Sequence, residues 1–234
     1  MRYTDPSGHA ICVSDDCVVR VHPVSGKPIG MRQKWGIIMR GPWEEEKTWM
    51  VYEGMRTISE RVGEQLKNSF VPISGDEWIR KNIGGTVFER WPNDQPFIYN
   101  DGTNYVRFSI HPAITAYQIY HQTKEAPAGV AFPRLGKVFP QPTIHFFDDM
   151  WWGTPVHEVG HIIDYKSGGA SLMLSREVST SSAPTEYGKT DRLEDFAESW
   201  RLWIYEPKRL ASNPEGIYRY QFIVNLVVDL GRDQ

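Results

Sequence analysis

Thr154-Pro155-Val156-His157-Glu158-Val159-Gly160-His161-Ile162-Ile163-Asp164-Tyr165-Lys166 combines clear helix punctuation with a chemically specific spacing. Thr154 suits an N-cap, and Pro155 suits the first helical position, where its missing N–H is not needed. Gly168-Gly169 marks the stop. Val156, Val159, Ile162 and Ile163 supply an apolar side. His157 and His161 stand at i and i+4, so on a helix both imidazoles face one point. Glu158 lies beside that face, where it can take a proton from a water activated there. Two imidazole nitrogens plus a carboxylate suit zinc with one coordination position left open. The plainer alternative is two surface histidines on an ordinary amphipathic helix.

A catalytic zinc needs a third protein ligand. A metzincin would continue with Gly at 164 and His at 167, but this chain has Asp164 and Ser167. Asp164, one turn after His161, is expected to orient a ligand or face solvent. A better source is Glu194-Asp195-Phe196-Ala197-Glu198, whose two glutamates lie one turn apart. Phe196, Trp200 and Trp203 predict that much of this helix is buried, and buried carboxylates need partners. The alternative is a solvated acidic face.

The rest of the chain is consistent with a globular α+β protein. It has 234 residues, 40% hydrophobic and 24% charged, enough to build a core and too apolar for wholesale disorder. A net charge of −3 excludes nucleic-acid affinity driven by overall charge. No apolar run approaches the ~20 residues of a membrane helix. The start, MRYTDPSGHA, lacks the apolar core of a secretory signal. Cys12 and Cys17, the only cysteines, lie between His9 and His22. This cluster is an unusual spacing for a second zinc site; a short disulfide or two free thiols are the alternatives.

Residues 1–43 read as turns and short strands, including Cys17–His22 and Gly36–Met39, and form an N-terminal segment ahead of a main domain at 44–234. Val51, Met55, Ile58, Val62 and Leu66 then recur at helical spacing. A short helix is expected at 76–82, strands at 104–111 and 143–147, and a helix-plus-loop connection over 112–142. The Ser-, Thr- and Gly-rich stretch 167–189 reads as a mobile loop. Thr190 or Asp191 caps a helix running to Tyr205, and Asn213-Pro214 opens a last one with Ile217, Tyr220, Val224, Val227 and Val228 as its buried stripe.

His157–His161, Tyr187-Gly188-Lys189-Thr190 and Glu194-Asp195-Phe196-Ala197-Glu198-Ser199-Trp200-Arg201-Leu202 together resemble the anthrax lethal factor and Pro-Pro endopeptidase family of zinc metalloproteases. In that family a Tyr lies seven residues before a ligand Glu that opens an E-x-F-A-E stretch, and Tyr187 and Glu194 match that spacing. The resemblance covers about residues 143–230. It implies a zincin-like metallopeptidase domain, with a small sheet (104–111 and 143–147) beside the His157 helix and C-terminal helices on the other side. It implies zinc held by His157, His161 and Glu194, with Glu158 as general base, Tyr187 steadying the oxyanion, and Glu198 holding a ligand histidine. An edge strand near Thr143–Phe147 is expected to pair with an extended protein or peptide substrate.

Arg2-Tyr3-Thr4-Asp5-Pro6-Ser7-Gly8-His9 resembles the closing motif of a YD-repeat (Rhs-type) toxin core, after which a variable toxin domain follows. This implies a payload secreted or delivered into target cells as part of a larger toxin, with an immunity protein as a candidate partner and no nucleic-acid partner. An independent cytoplasmic peptidase is the alternative. Two other function classes remain open: a non-catalytic module that keeps the fold, and a nuclease-type toxin.

Overall fold

The computed structural model describes residues 30–41, 43–91, 93, 127–132 and 141–232, and the backbone alone of short strands at 3–4, 10–11, 18–20, 28–29, 97–100 and 105–108. Only the backbone is described at 45. The His9, Cys12, Cys17 and His22 cluster and most of 112–142 lie outside the described residues. The architecture is mixed α+β, mostly helical, with one four-stranded sheet. The chain divides into two compact units, one of Met1–Val51 with Gly85–Thr154, the other of Tyr52–Gly84 with Pro155–Gln234.

The first unit holds the strands. Three backbone-only pairs, β1 (Tyr3–Thr4) with β2 (Ala10–Ile11), β3 (Val18–Arg20) with β4 (Pro28–Gly30), and β7 (Phe97–Asn100) with β8 (Tyr105–Phe108), are antiparallel ribbons. The sheet has the order β5 (Ile38–Arg40), β6 (Val87–Arg90), β10 (Thr143–Phe146), β9 (Gly129–Phe132). β6 is parallel to both β5 and β10, and β9 closes antiparallel on β10. Phe88 and Phe146 pack at 5.5 Å between ring centroids, and Trp43 lies 5.5 Å from Phe146. The guanidinium of buried Arg90 binds Glu44, Asp148 and the Phe146 carbonyl, so its charge is fully partnered.

Four expectations change here. Residues 105–108 pair with β7 in their own ribbon and are not part of the sheet that contains 143–146. β10 is an inner strand with both edges hydrogen-bonded, so its backbone has no edge to offer an extended substrate; β9 takes the outer place among the described residues. Residues 129–132, read as part of a helix-plus-loop connection, are strand because they complete β10's second ladder. Met31–Trp35, inside the segment read as turns and strands, is a short helix, α1, with buried Met31 and Trp35.

The second unit is helical. It takes most of α2 (Glu45–Asn68), whose Met55, Ile58, Val62 and Leu66 are fully buried, matching the expected period. α3 (Gly75–Asn82) opens with a reciprocal Ser74–Glu77 capping box. Trp78 donates from Nε1 to the Val227 carbonyl (3.0 Å) and stacks on Trp200 at 6.1 Å. α4 (Thr154–Lys166), α5 (Ala170–Leu174), α6 (Arg192–Tyr205), α7 (Pro207–Leu210) and α8 (Pro214–Arg232) follow.

The buried stripe of α8 is Gly216, Arg219, Ile223, Val227, Val228 and Gly231, whereas Ile217 is exposed and Tyr220 and Val224 are half-buried. The stripe turned because Arg219 points inward, pairing with Asp195 of α6 (2.8–2.9 Å), and both are essentially inaccessible. The stretch 167–189 is also ordered: α5 and 3₁₀ turns at Thr180–Ser182 and Tyr187–Lys189 occupy it. Arg219 tethers it by donating to the Ser179 carbonyl (3.0 Å) and reaching Ser182 Oγ (3.4 Å).

Candidate metal centre

α4 and α6 build the centre. α4 differs from expectation at its start: Thr154 is the first helical residue and not the cap, and its hydroxyl accepts from the Trp151 N–H (3.1 Å) of the preceding turn. It ends at Gly168 and Gly169, both at positive φ. α6 is capped by Asp191, whose Oδ1 accepts from the N–H groups of Leu193 (2.7 Å) and Glu194 (3.0 Å). That cap fixes Glu194 in the first turn of the helix. Gly160 brings the two helices together: a Cβ there would lie 3.0 Å from Ala197 Cα. No side chain therefore separates the HExxH face from α6.

His157, His161 and Glu194 each offer one ligand atom, all within 4.8 Å of one another. Glu194 Oε2 lies 3.0 Å from His157 Nε2 and 3.5 Å from His161 Nε2. This oxygen is shielded from solvent yet has no well-formed hydrogen bond among the described residues, a disposition suited to a cation shared with both imidazoles. His157 Nδ1 meets Glu198 Oε1 at 2.9 Å, which leaves Nε2 as its ligand nitrogen. Arg201 grips Glu198 through two bonds, Nε to Oε1 (2.9 Å) and Nη2 to Oε2 (2.8 Å). Glu158 is buried beside His157.

The burial of His157, Glu158 and Glu198 excludes the readings of surface histidines and a solvated acidic face. The carboxylates of Glu158, Glu194 and Glu198 against the single guanidinium of Arg201 leave a formal surplus of two negative charges when both imidazoles are neutral. A divalent cation would balance that surplus, and two imidazole nitrogens with one carboxylate oxygen form a donor set that such an ion accepts.

The electrostatics follow. Burial alone would favour neutral His157, but Glu194 and Glu198 outweigh it and raise its pKa to about 10. Burial opposes ionisation of Glu194, yet His157 and His161 hold it at about 2. Burial likewise opposes ionisation of Glu198, but Arg201 and then His157 hold it far below the usual carboxylate range. A metal ion at His157 must therefore compete with the proton that these carboxylates favour there.

Tyr187 stands on its 3₁₀ turn with its ring centroid 5.7 Å from that of His157, and it is 41% exposed. Neighbouring Gly188 lies against α6, where an added Cβ would meet Glu198 Cβ at 3.4 Å. Asp164 neither orients a ligand histidine nor faces solvent. It is buried and accepts from the Ser171 N–H (2.6 Å) and hydroxyl (3.1 Å), tying α5 to the end of α4.

Sequence reasoning missed Arg201 and Arg219. Arg201 was findable as the i+3 partner of Glu198, and Arg219 as a charge between Gly216 and Ile223 at core spacing. The described helices hold none long and apolar enough to cross a membrane. No protein-family model and no curated protein matches the chain.

Proposed function

We propose that this protein is a zinc-dependent endopeptidase of zincin-like architecture, acting as the payload of a larger secreted toxin. The observation that carries the hydrolase reading is the convergence of His157, His161 and Glu194 beside a buried Glu158. The toxin reading rests on the resemblance of Arg2–His9 to the end of a YD-repeat core.

His157, His161 and Glu194 would hold the zinc, which when bound lowers the pKa of a water and polarises the scissile carbonyl. Glu158 receives the proton of the attacking water and passes it to the leaving amine. Glu198 accepts from His157 Nδ1 and so keeps that ring in one tautomer and one orientation. Tyr187, 41% exposed with its ring 5.7 Å from that of His157, donates its hydroxyl proton in a hydrogen bond to the developing oxyanion.

A non-catalytic module has no need for the whole set of Glu158, Tyr187 and three ligands. A nuclease is disfavoured by the net charge of −3 and by the absence of another metal-binding group among the described residues. Incubation of the zinc-loaded protein with a denatured protein mixture and with plasmid, each with and without chelator, separates the three. Chelator-sensitive peptide cleavage that Glu158→Gln abolishes is the expected result. Plasmid cleavage alone would establish the nuclease, and inertness toward both the binding module.

A further inference from the structure

We propose that Arg201 is a positioning residue of the metal centre, acting through Glu198 on His157. This rests on the metal-site reading above and extends it one contact further out. Pairs of Arg and Glu three residues apart recur along these helices, and most are solvated. In Arg56–Glu53 and Arg209–Glu206 the arginine is 39% and 56% exposed, and the further partner of Arg56, Glu60, is itself 61% exposed. Such a pair contributes little.

Arg201–Glu198 differs in two respects. Its side chains are only 10% and 6% exposed, and its carboxylate has a second partner in His157. Glu198 Oε1 accepts from Arg201 Nε and also faces His157 Nδ1, both at 2.9 Å, while Oε2 accepts from Arg201 Nη2. The two-pronged grip fixes the plane of the carboxylate as well as its charge. A fixed plane aims one Oε1 lone pair at Nδ1. The proton then stays on Nδ1, and the Nε2 lone pair points where Glu194 and His161 converge.

Removing Arg201 has two consequences. Glu198 becomes a buried carboxylate without its counter-charge, and it gains freedom to rotate away from His157. Both effects weaken the hold of His157 on a metal without touching a ligand. Lysine in place of arginine restores the charge but supplies no fork.

The test measures zinc dissociation constants by competition with a chromogenic chelator. The proteins are wild type, Arg201→Met, Arg201→Lys, Glu198→Gln and the Glu198→Gln/Arg201→Met double variant, with melting temperatures recorded alongside. Arg201→Met is expected to bind zinc about 10- to 100-fold more weakly, the range for loss of a contact behind a ligand. Arg201→Lys should fall between it and wild type. The double variant should bind no more weakly than Glu198→Gln alone, because the proposed route from Arg201 to His157 runs through that carboxylate. A purely structural role predicts that the two losses multiply, which would overturn the proposal. Zinc affinity within about twofold of wild type in a folded Arg201→Met protein would overturn it too. If Arg201→Met does not fold, Arg201→Lys decides by the same criterion, wild-type affinity again counting against the proposal. Failure of the wild type itself to bind zinc would overturn the metal-site reading and this proposal together.

Discussion

Substituting Gly160 by alanine should separate metal affinity from stability. An ideal Cβ at this position meets Ala197 Cα at 3.0 Å, Trp200 Cδ1 at 3.3 Å and Ala197 Cβ at 3.4 Å. Carbon atoms prefer about 3.5–4.0 Å, so α6 must withdraw by roughly 0.5–1 Å at its closest approach to α4. Overpacking of this kind costs about 1–3 kcal/mol. Alanine in a helix interior returns about 1 kcal/mol relative to glycine. The two nearly offset, and the net destabilisation should be roughly 0–2 kcal/mol.

The metal centre has no such compensation. Glu194 rides on α6 one turn from Ala197, while both histidines ride on α4. Metal-ligand distances tolerate only about ±0.2 Å, less than the displacement. Zinc affinity should therefore fall on the order of 10- to 100-fold or more, although the protein stays folded. Chelator competition gives the affinity and circular dichroism the melting temperature. Gly231→Ala serves as the control: its Cβ would press on Leu66 Cδ2 at 2.8 Å in the same unit and would touch neither α4 nor α6 directly. Wild-type zinc affinity in Gly160→Ala would refute the idea that this glycine sets the ligand geometry. Equal loss of affinity in the Gly231→Ala control would show that general loosening is the cause.

Glu194→Ala should lose zinc far more readily than Glu198→Ala, since the second removes only a support worth about 10- to 100-fold; zinc dissociation constants rank the two, and the reverse order would shift the motif by one helical turn. Tyr187→Phe should keep zinc and fold while kcat on a cleavable peptide falls by on the order of 10²–10³, the usual cost of one oxyanion donor; near wild-type turnover removes Tyr187 from the mechanism. Arg219→Met should destabilise by about 3–5 kcal/mol in urea unfolding, because it strands buried Asp195 and frees Ser179 and Ser182, whereas replacing both partners by apolar residues should recover part of the loss. An unchanged urea midpoint in Arg219→Met would show that the pair does not hold the 179–182 turn.

What the sequence by itself determined is what repeats within a turn or two of helix. The four-residue step from His157 to His161, the Asp191 cap and the Val51-to-Leu66 stripe depend on backbone geometry that every α-helix shares. The helices at 45–68, 75–82, 154–166 and 192–205 were accordingly legible to within a few residues. Glu194 was also nominated in advance as one of two glutamates on the next helix, but only a resemblance chose it over Glu198, and it stands 37 residues after His157 and 33 after His161. Its arrival within 3.0 Å of His157 required two helices to close over Gly160, a contact with no local signature.

The tertiary structure alone decided the rest. The strand near Thr143–Phe147, which the zinc-peptidase resemblance makes an edge, is an inner strand because β6 and β9 pair with it, and such partners come from distant segments. The stretch 167–189 has the composition of a mobile loop, yet Asp164 and Arg219, separated from each other by 55 residues, pin its two halves. Neither the burial of Asp164 nor the partner of Arg219 is written in the sequence, because both are properties of what surrounds a residue. Each is buried at no net penalty only where its partners, Ser171 for one and Asp195 for the other, are delivered by the fold.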